Sequence, residues 1–167
     1  ETFRKMNKNF LYPSFDTIAG SGKNGAIVHY RAKKESCKNL NKRDIFLCDS
    51  GGQYKYGTTD VTRTICFSNP KKYIKNIYTN VLKGHIAVAC ADLNKKKTGK
   101  LIDIEARKFL KKKNMDYAHG TGHGVGYFLN VHEGPQAISK NNKVRIQNGM
   151  ILSNEPGYYK KDKFGIR

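Results

Sequence analysis

DSGGQYKYGTTD, residues 49–60, carries an aspartate at each end and no aliphatic residue between them. IFLC (45–48) precedes it and VTRTICF (61–67) follows, both rich in β-branched and aromatic residues, so the whole reads as two strands joined by a turn at Gly57. If Asp49 lies opposite Asp60, Leu47 falls opposite Thr62 and Ile45 opposite Thr64, and all six side chains share one face. The two carboxylates then stand about 5 Å apart. Like charges at that spacing repel unless a proton or a cation lies between them. The same acids could equally cap turns, as Asp-Ser-Gly and Thr-Thr-Asp sequences do. These twelve residues leave both readings standing.

The rest of the chain sets limits. Its 167 residues are enough for one domain with a core of its own, and no apolar run is long enough to cross a bilayer. No secretory leader is expected. Four cysteines, Cys37, Cys48, Cys66 and Cys90, form no CxxC pair, which points to free thiols in a reducing compartment. The 32 Lys+Arg against 13 Asp+Glu give a formal charge of +19, a balance that raises nucleic acid as a partner. The lysines cluster at 71–72, 95–97, 111–113 and 160–161, at the ends of expected elements and without interleaved arginine and aromatic residues. A solvated surface explains them better than a base-stacking one, so neither nucleic acid nor membrane is expected as a partner.

Ala26–Tyr30 after the Lys-Asn-Gly turn reads as a short strand. KESCKNLNKRD (34–44) reads as a polar loop. After Asn69-Pro70, the i, i+3, i+4 spacing of Ile74, Ile77, Tyr78, Val81, Leu82, Val88 and Ala89 predicts a helix ending near Asp92, with His85 on its apolar stripe as a packed core or boundary histidine. A second helix follows Thr98-Gly99 through Leu110. VRIQNGMILSNEPGYY (144–159) reads as strand again, with Pro156 pushing Glu155 towards extended backbone. Strands and helices without repeat or linker make one α+β unit.

HGTGHGVG (119–126) alternates glycine with His119 and His123, and fits neither GxGxxG nor GxxxxGK[ST]. Glycines at such positions let backbone approach a ligand closely. NVHEGP (130–135) adds His132 and Glu133, and NEPGYY (154–159) adds Glu155. Each has an ordinary explanation alone. Together, two aspartates, several histidines and a glutamate form a mixed oxygen and nitrogen donor set that suits manganese, cobalt or zinc and lacks the thiolates of a structural zinc site.

NGAIVHY, DSGGQYKYGTTDVTRT, VLKGHIAV, HGTGHGVGYFLNVHEGP, NEPGYY and FGIR, spread over nearly the whole chain, resemble the catalytic domain of the aminopeptidase P family in its cytosolic eukaryotic form. That family is grouped with prolidase, methionine aminopeptidase and creatinase. The resemblance implies a pita-bread fold, a curved and mainly antiparallel sheet with helices on its outer face. It implies a cytoplasmic hydrolase with two divalent metal ions, Mn²⁺ foremost and Co²⁺ or Zn²⁺ as alternatives. That enzyme removes the N-terminal residue from peptides with proline second, through a metal-bridging hydroxide that attacks the scissile carbonyl.

Carried over, the metal ligands are Asp49, Asp60, His123 and Glu155, with Asp60 bridging and Glu155 also moving the proton. His119 and His132 match histidines that hydrogen-bond the scissile carbonyl and the intermediate, and His29 one that lines the proline pocket. Arg167 and Tyr159 match residues that orient the acids. The family's second glutamate ligand lies beyond Arg167. The expectation is therefore an incomplete C-terminal catalytic domain, 1–167, inactive alone and homodimeric in its full form. The alternatives are a ligand-retaining prolidase or methionine aminopeptidase relative, or a non-catalytic scaffold for nucleic acid or protein.

Overall fold

The computed structural model describes residues 1–35, 37–128 and 130–167; Ser36 of the polar loop and Leu129 of the histidine-glycine segment lie outside the described residues. A short helix α1 (Thr2–Lys5) leads into β1 (Phe10–Pro13) and β2 (Ile18–Ser21), and a 3₁₀ helix spans Gly22–Ala26. Strands β3 (Ile45–Ser50), β4 (Gly52–Tyr54), β5 (Gly57–Thr58) and β6 (Val61–Cys66) follow. Helices α2 (Lys72–Ala89) and α3 (Gly99–Lys111) come next, then β7 (Gly122–His123), β8 (Ala137–Ile138), β9 (Tyr158–Lys160) and β10 (Phe164–Ile166). Every ladder among the described strands is antiparallel.

The central sheet has the order β2-β3-β6. Alternation along β3 buries Ile45, Leu47 and Asp49 on one face. Ile45 joins Ile77 and Val81 of α2, Leu110 of α3, and Tyr117, Phe164 and Ile166 in the main core. Both helices thus cover the sheet through one apolar stripe each, and each fully buried aliphatic side chain contributes about 1.5–3 kcal/mol. A second cluster of Ile102, Ile138 and Ile146 lies under α3.

The hairpin register differs from the expected one. Asp49 pairs with Thr62, Leu47 with Thr64 and Ile45 with Cys66, two residues off. Between the long strands a smaller hairpin, β4-β5, turns at Lys55-Tyr56 and not at Gly57, and pairs outward with β1. It takes up Gly52–Thr58, so Asp60 falls just before β6, outside the ladder. A side chain at Gly51 would overlap the Thr59 carbonyl and the Ser14 hydroxyl, which is why the chain can fold back so tightly there.

Three other expectations change. Residues 27–29 are a bend and turn after the 3₁₀ helix, whose first residue, Gly22, has φ +56°, and neither they nor Tyr30 form a strand. Residues 144–157 are irregular apart from the bridges Thr98↔Arg145 and Gly124↔Leu152, so strand is confined to Tyr158–Lys160 in that stretch. His85 sits exposed at the boundary against Asn154 and not in the core, since the α2–α3 crossing is made at Gly84, where a β-carbon would strike the Ala106 carbonyl.

Candidate metal centre

Four chain segments bring the site together. Asp49 comes from the end of β3, Asp60 from the entry to β6, His123 from β7, and Glu155 from the irregular stretch before β9. The ligand atoms of Asp60, His123 and Glu155 all lie within 4.8 Å of one another. His123 Nε2 is 3.1 Å from Asp60 Oδ2 and 3.0 Å from Glu155 Oε1. Its Nδ1 donates to the Gly124 carbonyl at 2.8 Å, which fixes the ring with Nε2 aimed at the two acids. Burial disfavours the imidazolium, but the hydrogen bonds to Asp60 and Glu155 outweigh it and push His123 up to about 10.

Asp49 is 6% exposed. Its Oδ2 accepts from Arg167 Nη2, while Oδ1 is buried with no hydrogen-bond partner among the described residues. Burial raises this carboxyl, Arg167 opposes that, and the charges of Asp60 and Glu155 add to it, leaving the group at about 6. Glu155 goes the other way. Burial works against its charge, yet His123, the Ser153 hydroxyl and Arg167 together hold it below the usual carboxylate range.

Three carboxylates therefore share one histidine and one arginine. A buried carboxylate oxygen without a donor is costly, and a cation would satisfy it. The donor chemistry and the orphaned Asp49 Oδ1 both fit divalent metal: Asp60, His123 and Glu155 together offer one set of ligands that could hold an ion.

The other histidines surround this cluster. His132 is exposed, and its ring meets that of His123 edge-on at 4.1 Å between centroids. Burial and the neighbouring His123 charge lower its basicity, and His29, itself exposed, acts in the same direction from nearby. His119 donates from Nδ1 to the Gly120 carbonyl at 2.6 Å and accepts at Nε2 from the Tyr159 hydroxyl at 2.8 Å. Burial holds His119 below its ordinary value and therefore neutral. Arg167 bonds Tyr159 Oη at 3.3 Å and Thr62 Oγ1 at 3.0 Å as well as Asp49, so Tyr159 and Arg167 connect His119 to the acid.

Ser153 was not singled out by its sequence. Its hydroxyl donates to Glu155 Oε1 at 2.6 Å and accepts the His123 backbone N–H at 2.9 Å, tying two candidate ligands together. The available signal is the i, i+2 spacing of Ser153 and Glu155, which puts both on one side of an extended chain. Asp103, Arg107 and Thr121 were also missed. They form a buried network beneath the His119–His123 loop.

All 167 residues match the model of metallopeptidase family M24. The chain is 54% identical to aminopeptidase P2 of Arabidopsis thaliana, covering 99% of this chain and 24% of the relative. It is 50% identical to a probable Xaa-Pro aminopeptidase P of Arthroderma otae, covering 98% and 27%. Among solved structures, the X-prolyl aminopeptidase of Caenorhabditis elegans, described as a cytosolic enzyme with a di-nuclear active site, superposes with a TM-score of 0.93 at 40% identity, covering 99% of this chain and 27% of that one. Prolidase from Pyrococcus furiosus gives a TM-score of 0.85 at 32% identity over 97% of this chain and 46% of that one. The chain spans about a quarter of the length of the curated relatives it matches. Its α+β architecture of antiparallel ladders and covering helices is the pita-bread fold. With one family model covering it from end to end, the chain belongs to metallopeptidase family M24.

Proposed function

We propose that these residues form part of the catalytic domain of a longer two-metal aminopeptidase, one that releases the N-terminal residue from peptides with proline in second position. The observation that carries this is the convergence of Asp60, His123 and Glu155 beside the buried Oδ1 of Asp49, which has no hydrogen-bond partner among the described residues. The names of the relatives supply the substrate class. Asp49, Asp60, His123 and Glu155 are the proposed ligands, and an oxygen-rich set with one imidazole favours Mn²⁺ over softer ions. When bound, the two ions would lower the pKa of water towards neutrality and polarise the scissile carbonyl.

The chain's own groups divide the remaining work. Ser153 fixes Glu155 Oε1, and Oε2 lies 3.9 Å from Arg167 Nε. Glu155 is thus held as a carboxylate that can accept a proton and return it to the leaving proline nitrogen. His132, exposed at the mouth beside His123, is the proposed hydrogen-bond donor to the substrate carbonyl. Both nitrogens of His119 are engaged in this arrangement, so His119 reaches substrate only when its bond with Tyr159 opens. His29, exposed and close enough to act on the charge of His132, is the proposed contact for the proline ring. Cytoplasmic location follows the cytosolic relative, and homodimerisation follows the family resemblance.

Assay of the full-length protein on Xaa-Pro peptides of two to five residues, with and without Mn²⁺, tests the proposal. Metal-dependent release of the first residue is expected. A preference for Met-Ala peptides, or failure to bind Mn²⁺, would sink it.

A further inference from the structure

We propose that the buried Asp103–Arg107 pair of α3 positions the candidate site from beneath, a role that rests on the peptidase reading above. Arg107 and Asp103 are 2% and 1% exposed, and Arg107 Nε donates to Asp103 Oδ2 at 2.8 Å. An ion pair so deep gains little for stability, because desolvating both charges offsets most of their attraction. What the pair does hold is the loop from Asp116 to Thr121, which has no ladder of its own. Arg107 Nη1 donates to Asp116 Oδ1 and to the Tyr117 carbonyl, and Nη2 to the His119 carbonyl, each at 2.7 Å. The guanidinium also stacks 3.9 Å from the Tyr117 ring centroid. A planar fork with five donors can serve these divergent acceptors at once.

The carboxylate end forms a second arm. The Thr121 hydroxyl donates to Asp103 Oδ1 at 2.6 Å, and the Tyr117 hydroxyl donates in turn to Thr121 Oγ1. The Thr121 carbonyl accepts the Glu155 backbone N–H at 2.8 Å, two residues before His123 enters β7. One pair on one helix therefore sets His119 through Arg107, and the His123–Glu155 contact through Asp103 and Thr121. The arms predict different consequences: the Arg107 arm bears on turnover through His119, and the Thr121 arm on metal affinity through two ligands.

Two variants of the full-length protein separate them. Arg107→Lys keeps a charge opposite Asp103 but replaces the fork by one ammonium. It is expected to lower kcat on an Xaa-Pro tripeptide on the order of ten-fold to a hundred-fold, with KM and calorimetric Mn²⁺ affinity held. Thr121→Val keeps shape and loses the hydroxyl, and is expected to weaken Mn²⁺ binding about ten-fold. If Arg107→Lys turns over at the wild-type rate per bound Mn²⁺, whatever its melting temperature, the pair only holds the fold and the proposal fails. Wild-type Mn²⁺ affinity in Thr121→Val overturns the second arm. Should the wild-type protein bind Mn²⁺ but cleave no Xaa-Pro peptide, the substrate reading falls, while the calorimetry of Thr121→Val still decides positioning. A wild-type protein that binds no Mn²⁺ overturns both.

Discussion

Two buried guanidinium groups face aspartates in this molecule, and their surroundings differ. Around Arg107, both oxygens of Asp103 are used, one by the guanidinium and one by the Thr121 hydroxyl. Around Arg167, Asp49 Oδ1 has no donor among the described residues, and Asp60 and Glu155 bring further negative charge to the same place. The first cluster closes on itself. The second holds more carboxylate than the protein's own cations match, and that shortfall marks where an added cation contributes most. Counting donors against acceptors thus separates a cluster that holds backbone from one built to take a ligand.

The same substitution at the two aspartates puts that distinction at greatest risk. Asp49→Asn should lower kcat/KM on an Xaa-Pro peptide on the order of 10³-fold in the full-length protein, with Mn²⁺ affinity falling in parallel. The metal-free protein should stay within about 1 kcal/mol of wild type, since the amide oxygen still accepts from Arg167 and the repulsion with Asp60 is gone. Asp103→Asn leaves buried Arg107 with only the more exposed Asp116 as counterion and should cost about 3–5 kcal/mol in denaturant unfolding. Comparable losses of stability from both would erase the difference between the clusters.

Local sequence disclosed much of this architecture. Helices α2 and α3 follow from apolar spacing, with observed bounds of Lys72–Ala89 and Gly99–Lys111. The two aspartates drew attention through their charge alone. Their register did not follow, because the inner hairpin is fixed by pairing Phe10 with Tyr54, forty-four residues apart, and no local pattern encodes such a contact. His85 sits on the periodic stripe, but the close approach at Gly84 rotates it to the surface, where Nδ1 lies 3.1 Å from the Asn154 carbonyl. Asp103 and Arg107 resemble an ordinary surface i, i+4 pair, and only the loop that folds over them buries them.

Ser153 lies on the ligand-taking side of the comparison, and a smaller effect is expected there. It donates to Glu155 while accepting from the His123 backbone. Ser153→Ala should weaken Mn²⁺ binding about ten-fold by calorimetry, as loss of a hydroxyl that orients a ligand does. An unchanged affinity would mean that Glu155 is placed by its backbone alone.

The smallest effect belongs to the rim of the Arg107 cluster. Asp116 accepts from Arg107 at 2.7 Å, from the Tyr117 backbone N–H at 2.9 Å and from Lys140 at 3.1 Å. Burial would raise its carboxyl, but these donors outweigh burial and hold it below the ordinary range. A carboxyl depressed in the fold contributes stability that is complete above its unfolded pKa and is lost as pH falls through the folded one. Its side chain is 34% exposed, so solvent screens the contribution. Asp116→Asn should therefore lower stability near neutral pH by roughly 1 kcal/mol or less, with the gap to wild type closing as pH falls below about 4. A gap that persists in acid would show that Asp116 acts through shape and not charge. Arg107 would then rest on Asp103 for its counterion, as Arg167 rests chiefly on Asp49 with Glu155 Oε2 3.9 Å away, and the two clusters would differ more in their unpaired oxygen than in how their arginines are neutralised.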